Sequence, residues 1–119
     1  MTNPQRLRLV PRVKVWFETE DGYGFGSGLV AILLAVETVG SLKGAAKALG
    51  RSYRHVWDRV KEAEQALGTT LVETQVGGTG TRRSVLSDAG RQVVDEFVAL
   101  RERMTDAMDR ESSKRSTES

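Results

Sequence analysis

Between Ser41 and Gly68 two apolar stripes at helical spacing are each framed by a capping residue and a glycine. That framing restricts the stretch to two short helices joined by a tight turn. Leu42, Ala45, Ala46 and Leu49 form the first stripe, opened by Ser41 and stopped by Gly50. Val56, Val60, Ala63 and Leu67 form the second, with Ser52 as cap and Gly68 just past the end. Ala46 is small where the helices would cross closely and Gly50 follows four residues later, a spacing that fits a helix-turn-helix. Two packed amphipathic helices with no further role are the plainer alternative, because glycine-terminated helix pairs are common.

The flanking sequence extends this unit on both sides. Val13, Val15 and Phe17 alternate with Lys14, Trp16 and Glu18, and Asp21-Gly22 signals a turn leading to Phe25, so a short hairpin is expected at the N-terminal end. Ser27 is placed to cap a first helix carrying Leu29, Ile32, Leu33 and Val36, with Gly40 as its stop. After Gly68, Leu71 to Thr74 and Ser84 to Leu86 are strand candidates around Gly77-Gly78-Thr79-Gly80, giving a second hairpin. Ser87 or Asp88 then opens a last helix in which Val93, Phe97, Leu100, Met104 and Ala107 follow four-three spacing, the seam of a coiled coil.

The order helix, helix, helix, strand, strand, helix predicts a mainly α (α+β) fold: a winged helix-turn-helix with an N-terminal β-hairpin and a long C-terminal dimerisation helix. With 119 residues, one domain is expected over residues 13–110, with a flexible arm over 1–12 and a disordered tail over 111–119.

Several chemistries are excluded by residue content. There is no Cys and only one His, so disulfides, thiolate metal sites and a multi-histidine cage are ruled out. No apolar run approaches the roughly 18 residues needed to span a bilayer and the N-terminus lacks a secretory stretch, so a cytoplasmic protein without a membrane partner is expected. His55 has no partner that would form a catalytic dyad, and Asp58 and Glu62, one turn apart, are better read as salt-bridge partners of Arg54, Arg59 or Lys61. No catalytic and no metal-binding residues are assigned, and an enzyme is not expected. Gly22, Gly24, Gly26 and Gly28 follow a strand and precede a helix, but their spacing does not match a dinucleotide-binding fingerprint and no parallel strand returns.

Net charge is only +2, yet its distribution is uneven. From residue 43 to 61, Lys43, Lys47, Arg51, Arg54, Arg59 and Lys61 face the single acid Asp58. A solvated face usually mixes signs, whereas this pattern suits the release of counterions from a phosphate backbone. Trp57 falls one position off the Val56, Val60, Ala63 stripe, so it either supports the recognition surface or packs as core against the second helix or the wing.

The run Ser52-Tyr53-Arg54-His55-Val56-Trp57-Asp58, then Gly77-Gly78-Thr79-Gly80 and Leu86-Ser87-Asp88-Ala89-Gly90, resembles the DNA-binding domain of ModE-type molybdate-responsive transcription regulators. More widely it resembles the LysR-type winged helix. The resemblance covers about Pro11 to Leu100 and includes the Pro11-Arg12-Val13-Lys14 strand. It implies a homodimer that uses the last helix and the N-terminal hairpin as its interface, a third helix entering the major groove, and a wing touching the backbone. Arg51 stands where the family usually has an apolar residue, which either weakens turn packing or adds a phosphate contact. Full-length members carry a C-terminal oxyanion-binding module for which a chain ending at Ser119 has no room, so no cofactor and no direct molybdate sensing are expected, while a role in molybdenum-related gene control is implied.

The resulting expectation is a sequence-specific DNA-binding transcription regulator that binds an inverted repeat in double-stranded DNA as a homodimer. It acts most simply as a repressor, although activation is equally compatible with the sequence. Ser52 and Tyr53 orient the helix entry, Arg54 reads a base edge, and Lys43, Lys47, Arg51, Arg59 and Lys61 are phosphate candidates, with His55 and Trp57 on the same helix. Thr79, Thr81, Arg82 and Arg83 supply the wing contact, and Val93, Phe97, Leu100 and Met104 the dimer interface. The alternative is a protein-interaction module that uses the same scaffold without specific DNA binding.

Overall fold

The computed structural model describes residues 6–78 and 80–118, without the side chains of 116–118. The elements run β1 (Trp16–Glu18), β2 (Gly24–Gly26), α1 (Ser27–Val39), α2 (Leu42–Leu49), α3 (Tyr53–Leu67), β3 (Val72–Val76), β4 (Arg82–Leu86) and α4 (Asp88–Glu118). This is the expected mainly α architecture, a winged helix-turn-helix preceded by a hairpin.

α1 is apolar nearly all round and lies at the centre. Leu29, Val30 and Leu33 join Ala63, Leu71, Val94 and Phe97 in one core cluster. Ile32 and Val36 join Ala45, Ala46, Val56 and Val60 in a second. Each large side chain removed from water contributes about 1.5–3 kcal/mol, and α1 supplies five of the buried residues, so it is the element the others pack on. Among the described residues no single helix is long and apolar enough to cross a membrane; α1 and α2 qualify only as a pair, bent by 118°.

The first hairpin is shorter than its alternation suggests. Trp16 pairs with Gly26, Phe17 with Phe25 and Glu18 with Gly24, and residues 13 to 15 have no strand opposite them. The reason is that the chain turns into α1 immediately after Gly26, leaving Val13 and Val15 without a ladder. Ser27 does not cap α1: Gly26 is the cap residue, and no side chain accepts from the first turn.

The other caps follow local sequence. Ser41 Oγ accepts from the Gly44 amide at 2.9 Å and Ser52 Oγ from the His55 amide at 3.0 Å. Gly50 closes α2 at φ 65°, in the left-handed region, and the Arg51 amide donates to the Ala46 carbonyl at 2.9 Å. The Arg51 side chain is exposed, so the turn does not depend on an apolar residue there.

β3 and β4 pair antiparallel from Val72 with Leu86 to Val76 with Arg82, which carries the strands further toward the tip than the apolar residues mark and places Arg82 and Arg83 within β4. This wing is anchored at its base. Glu64 Oε2 on α3 accepts from the Leu71 and Val72 amides at 2.8 and 3.2 Å, and the Ser84 amide donates to the Gly40 carbonyl at 2.8 Å.

α4 starts against the wing, with Ser87 Oγ accepting from the Gly90 amide at 3.0 Å while its hydroxyl donates to the Thr70 carbonyl. A Cβ at Gly90 would sit 2.3 Å from the Leu71 carbonyl oxygen, a backbone atom that cannot step aside cheaply. Gly90→Ala is therefore expected to destabilise the protein by about 1–3 kcal/mol, read as a lower urea midpoint. An unchanged midpoint would show that α4 can shift away from Leu71.

Two expectations for α4 need correction. The helix continues to Glu118 instead of giving way to a tail after residue 110. No glycine or proline interrupts residues 111–118, and Lys114 pairs with Glu111 one turn back at 3.6 Å. The apolar seam is also divided. Phe97 is 1% exposed and belongs to the first core cluster, and half-buried Val93 packs against that cluster, because α1 and the hairpin cover this end of α4. Phe97 is therefore not free to meet a second chain, whereas Val93 and Leu100 are half-buried and Met104 is 38% exposed.

Candidate nucleic-acid interface

The α2 to α3 turn projects a run of cationic side chains into solvent. Lys43 and Lys47 on α2, Arg51 and Ser52 in the turn, and Tyr53, Arg54 and His55 in the first turn of α3 are all exposed. Tyr53 is 50% exposed and the Arg54 side chain 79% exposed, so the leading end of α3 is reachable by a large partner. Ser52 caps this end, as expected, and so fixes where Tyr53 and Arg54 emerge.

Arg54 is held in place on its own helix. Its guanidinium lies 5.3 Å from the Trp57 ring centroid and its Nε is 3.3 Å from Asp58. An exposed i,i+4 pair of this kind is worth about 0.3–0.5 kcal/mol, far less than a bidentate base contact at about 1–3 kcal/mol, so the group is oriented yet free to exchange partners. Trp57 is half-buried and also carries the Lys61 amine, 5.7 Å from the ring. The indole is thus half-buried at the edge of the core and carries two cations over its ring.

A cleft of about 380 Å³ separates α3 from the wing, lined by Lys43, Tyr53, Trp57, Lys61, Thr74 and Ser84 among others. Among the described residues no carboxylate lines it. Lys61 is paired with Glu64 at 3.2 Å, and Glu64 in turn holds the first two amides of the wing. Thr74, Ser84 and Glu64 carry no signal in the sequence that places them here, because each sits on a different element and only the packing of the wing against α3 brings them together. The proximity of Glu64 to Lys61 was readable as an i,i+3 pair; its backbone bonds to residues seven and eight positions on were not.

Two expected site residues are placed elsewhere. At about 100° per residue, Arg59 lies about 160° round α3 from both Trp57 and Lys61. It lines a separate cavity with the N-terminal hairpin, on the flank opposite the wing. Tyr23 of that hairpin lies close enough for its phenol to feel Glu62 and Arg59: its pKa is raised chiefly by burial and next by the Glu62 charge, with Arg59 opposing. Arg83 lies across the C-terminal end of α1, where a Cβ at Gly40 would meet its side chain at 3.4 Å. A cation there complements the negative end of the α1 dipole, so Arg83, exposed like Arg82, lies between the wing and α1, and Arg82 stands one residue nearer the tip. Thr81 is exposed in the loop, and Thr79 lies outside the described residues.

The family described as "Bacterial regulatory helix-turn-helix protein, lysR family" matches residues 28–91. Among curated proteins, the chain is 32% identical over 79 residues to the molybdenum-pterin-binding protein MopB of Rhodobacter capsulatus, a match covering 66% of this chain and 29% of that protein. It is 30% identical over 97 residues to the molybdenum transport protein ModE of Azotobacter vinelandii, covering 82% of this chain and 36% of the relative. The chain thus spans about a third of the length of these relatives. Among solved structures, the DNA-binding domain of CbnR in its complex with DNA superposes with a TM-score of 0.57 at 23% identity over 73% of this chain and 94% of that chain. Full-length LysG of Corynebacterium glutamicum gives 0.55 at 26% identity, over 72% of this chain and 28% of that chain.

Proposed function

Since the chain belongs to the lysR family of bacterial regulatory helix-turn-helix proteins, and so carries the DNA-binding part of a transcription regulator, we propose that it docks α3 in the major groove of an operator, as a homodimer. The observation that carries this reading is the exposed, cationic leading end of α3. Tyr53 and Arg54 are exposed there, with Lys43, Lys47 and Arg51 exposed on α2 and in the turn before them and Asp58 one turn on paired with Arg54. Arg54 reads a base edge, while Lys43, Lys47, Arg51, Lys61 and Arg82 meet phosphates.

A two-fold related pair of α3 helices reads half-sites spaced by about 34 Å or a multiple, hence an inverted repeat. The partner copy meets the distal part of α4, where Leu100 and Met104 remain accessible. The names of MopB and ModE support a place in molybdenum-related gene control. Binding across a promoter represses by excluding polymerase. In this reading the domain works in the cytoplasm, needs no cofactor of its own and turns over no substrate.

The test is the salt dependence of operator binding. The logarithm of the affinity should fall linearly with the logarithm of salt concentration, by about 0.9 per phosphate contact. A flat dependence would instead favour a protein-interaction module on the same scaffold.

A further inference from the structure

The flank of α3 that faces away from the wing carries a second cationic feature, built from the N-terminal hairpin and the segment before it. Residues 6 to 17 contain Arg6, Arg8, Arg12 and Lys14 and no acid; the first carboxylate is Glu18, which accepts from the Trp16 indole at 3.1 Å. The four cations are exposed. Lys14 and Arg59 line a shared cavity of about 420 Å³ with Trp16, Phe25, Ser27 and Gly28.

Two like charges on one cavity repel each other unless an anion lies between them, and among the described residues no carboxylate lines this one. The cavity also opens on the start of α1, whose first turn has neither a side-chain cap nor an acidic residue, so nothing there offsets the two cations. The acids carried by the same hairpin are Glu18, engaged by Trp16, and Glu20 and Asp21 in its turn, while on α3 the charge of Glu62 is felt at Tyr23; none of the four lines the cavity.

We propose that Lys14 and Arg59 clamp one phosphodiester of the duplex backbone on the side of α3 opposite the wing, with Arg12, Arg8 and Arg6 following the strand beyond it. The protein would then straddle the major groove with a hairpin on each flank of α3. This rests on the DNA-binding reading above and extends it. Arg59 becomes a backbone ligand away from the wing cleft, and the N-terminal hairpin, expected from the family resemblance to serve the dimer interface, also contributes Lys14 to the DNA surface.

The experiment compares the full chain with Lys14→Gln and with Lys14→Gln/Arg59→Gln, using operator duplexes in which single phosphates are replaced by neutral methylphosphonates. For the wild type, neutralising one backbone position outside the wing-proximal contacts should weaken binding. For the double variant that same replacement should cause no further loss, and the salt slope should be shallower by about 0.9 for each phosphate that the variant no longer neutralises. Lys14 is exposed, so the single variant folds normally and should show the same effect even if Arg59→Gln perturbs the fold. Variants that keep the wild-type slope and the wild-type methylphosphonate profile overturn the clamp while leaving DNA binding intact. A wild-type protein with no salt-dependent operator binding overturns the underlying reading instead.

Discussion

Phe97→Ala is expected to lower the stability of the protein by about 3–5 kcal/mol, the range for truncating a large aromatic in a packed core. Phe97 is 1% exposed; its ring lies 6.3 Å from Phe17, and the Arg101 guanidinium lies 5.3 Å from its centroid. Its removal leaves a cavity between α4, α1 and the N-terminal hairpin, which cannot all close in together. Urea unfolding at a protein concentration where the oligomeric state is fixed measures the effect. A loss of under about 1 kcal/mol would place Phe97 outside the core. Met104→Asp addresses the other half of the same helix. Met104 is 38% exposed, so this change should leave the urea midpoint nearly unmoved while weakening self-association in sedimentation. Together the two substitutions separate the part of α4 that holds one chain together from the part available to a second.

Arg54→Ala is expected to cost about 1–3 kcal/mol at the cognate operator, a factor of roughly 5 to 150, and to relax preference at the base it contacts. Titration of the variant against the operator and against single-position changes supplies the measurement. A loss that is uniform across all sequences, with a shallower salt slope, would make Arg54 a phosphate ligand. Stability should barely change, because the Arg54 to Asp58 pair is exposed and the cation over Trp57 is duplicated by Lys61.

Most of the helix-turn-helix is legible in the amino-acid sequence. Ser41, Ser52, Gly50 and Gly68 act where their spacing to the apolar stripes places them, because capping links a side chain to an amide three residues on and needs nothing from the rest of the chain. The same local logic fails at Ser27. There the close pass of Gly26 against β1 moves the helix start by one residue, and that contact comes from ten residues away in sequence.

Of the interface, the exposed cations of α2 and of the first turn of α3 are readable from charge pattern alone. Arg59 and Arg83 are not. Both are basic and both fall in basic stretches, yet one faces the N-terminal hairpin and the other lies over Gly40 at the end of α1. Charge content says how many cations a segment carries, whereas their destinations depend on which neighbour occupies each flank. The acid-free run through Arg6, Arg8, Arg12 and Lys14 is equally visible, but nothing in the pattern ties it to α3.

The amino-acid order by itself therefore determined the succession of elements, the caps of α2 and α3 and the sign of the exposed surface, since each arises from interactions within a turn or two of chain. Only the tertiary structure decided that, on one continuous apolar stripe, Phe97 belongs to the core, Val93 packs against it half-buried, and Met104 remains exposed. Periodicity marks a face as apolar without saying what covers it. Burial is set by the elements that arrive there, and on α4 the cover of α1 and the hairpin ends partway along.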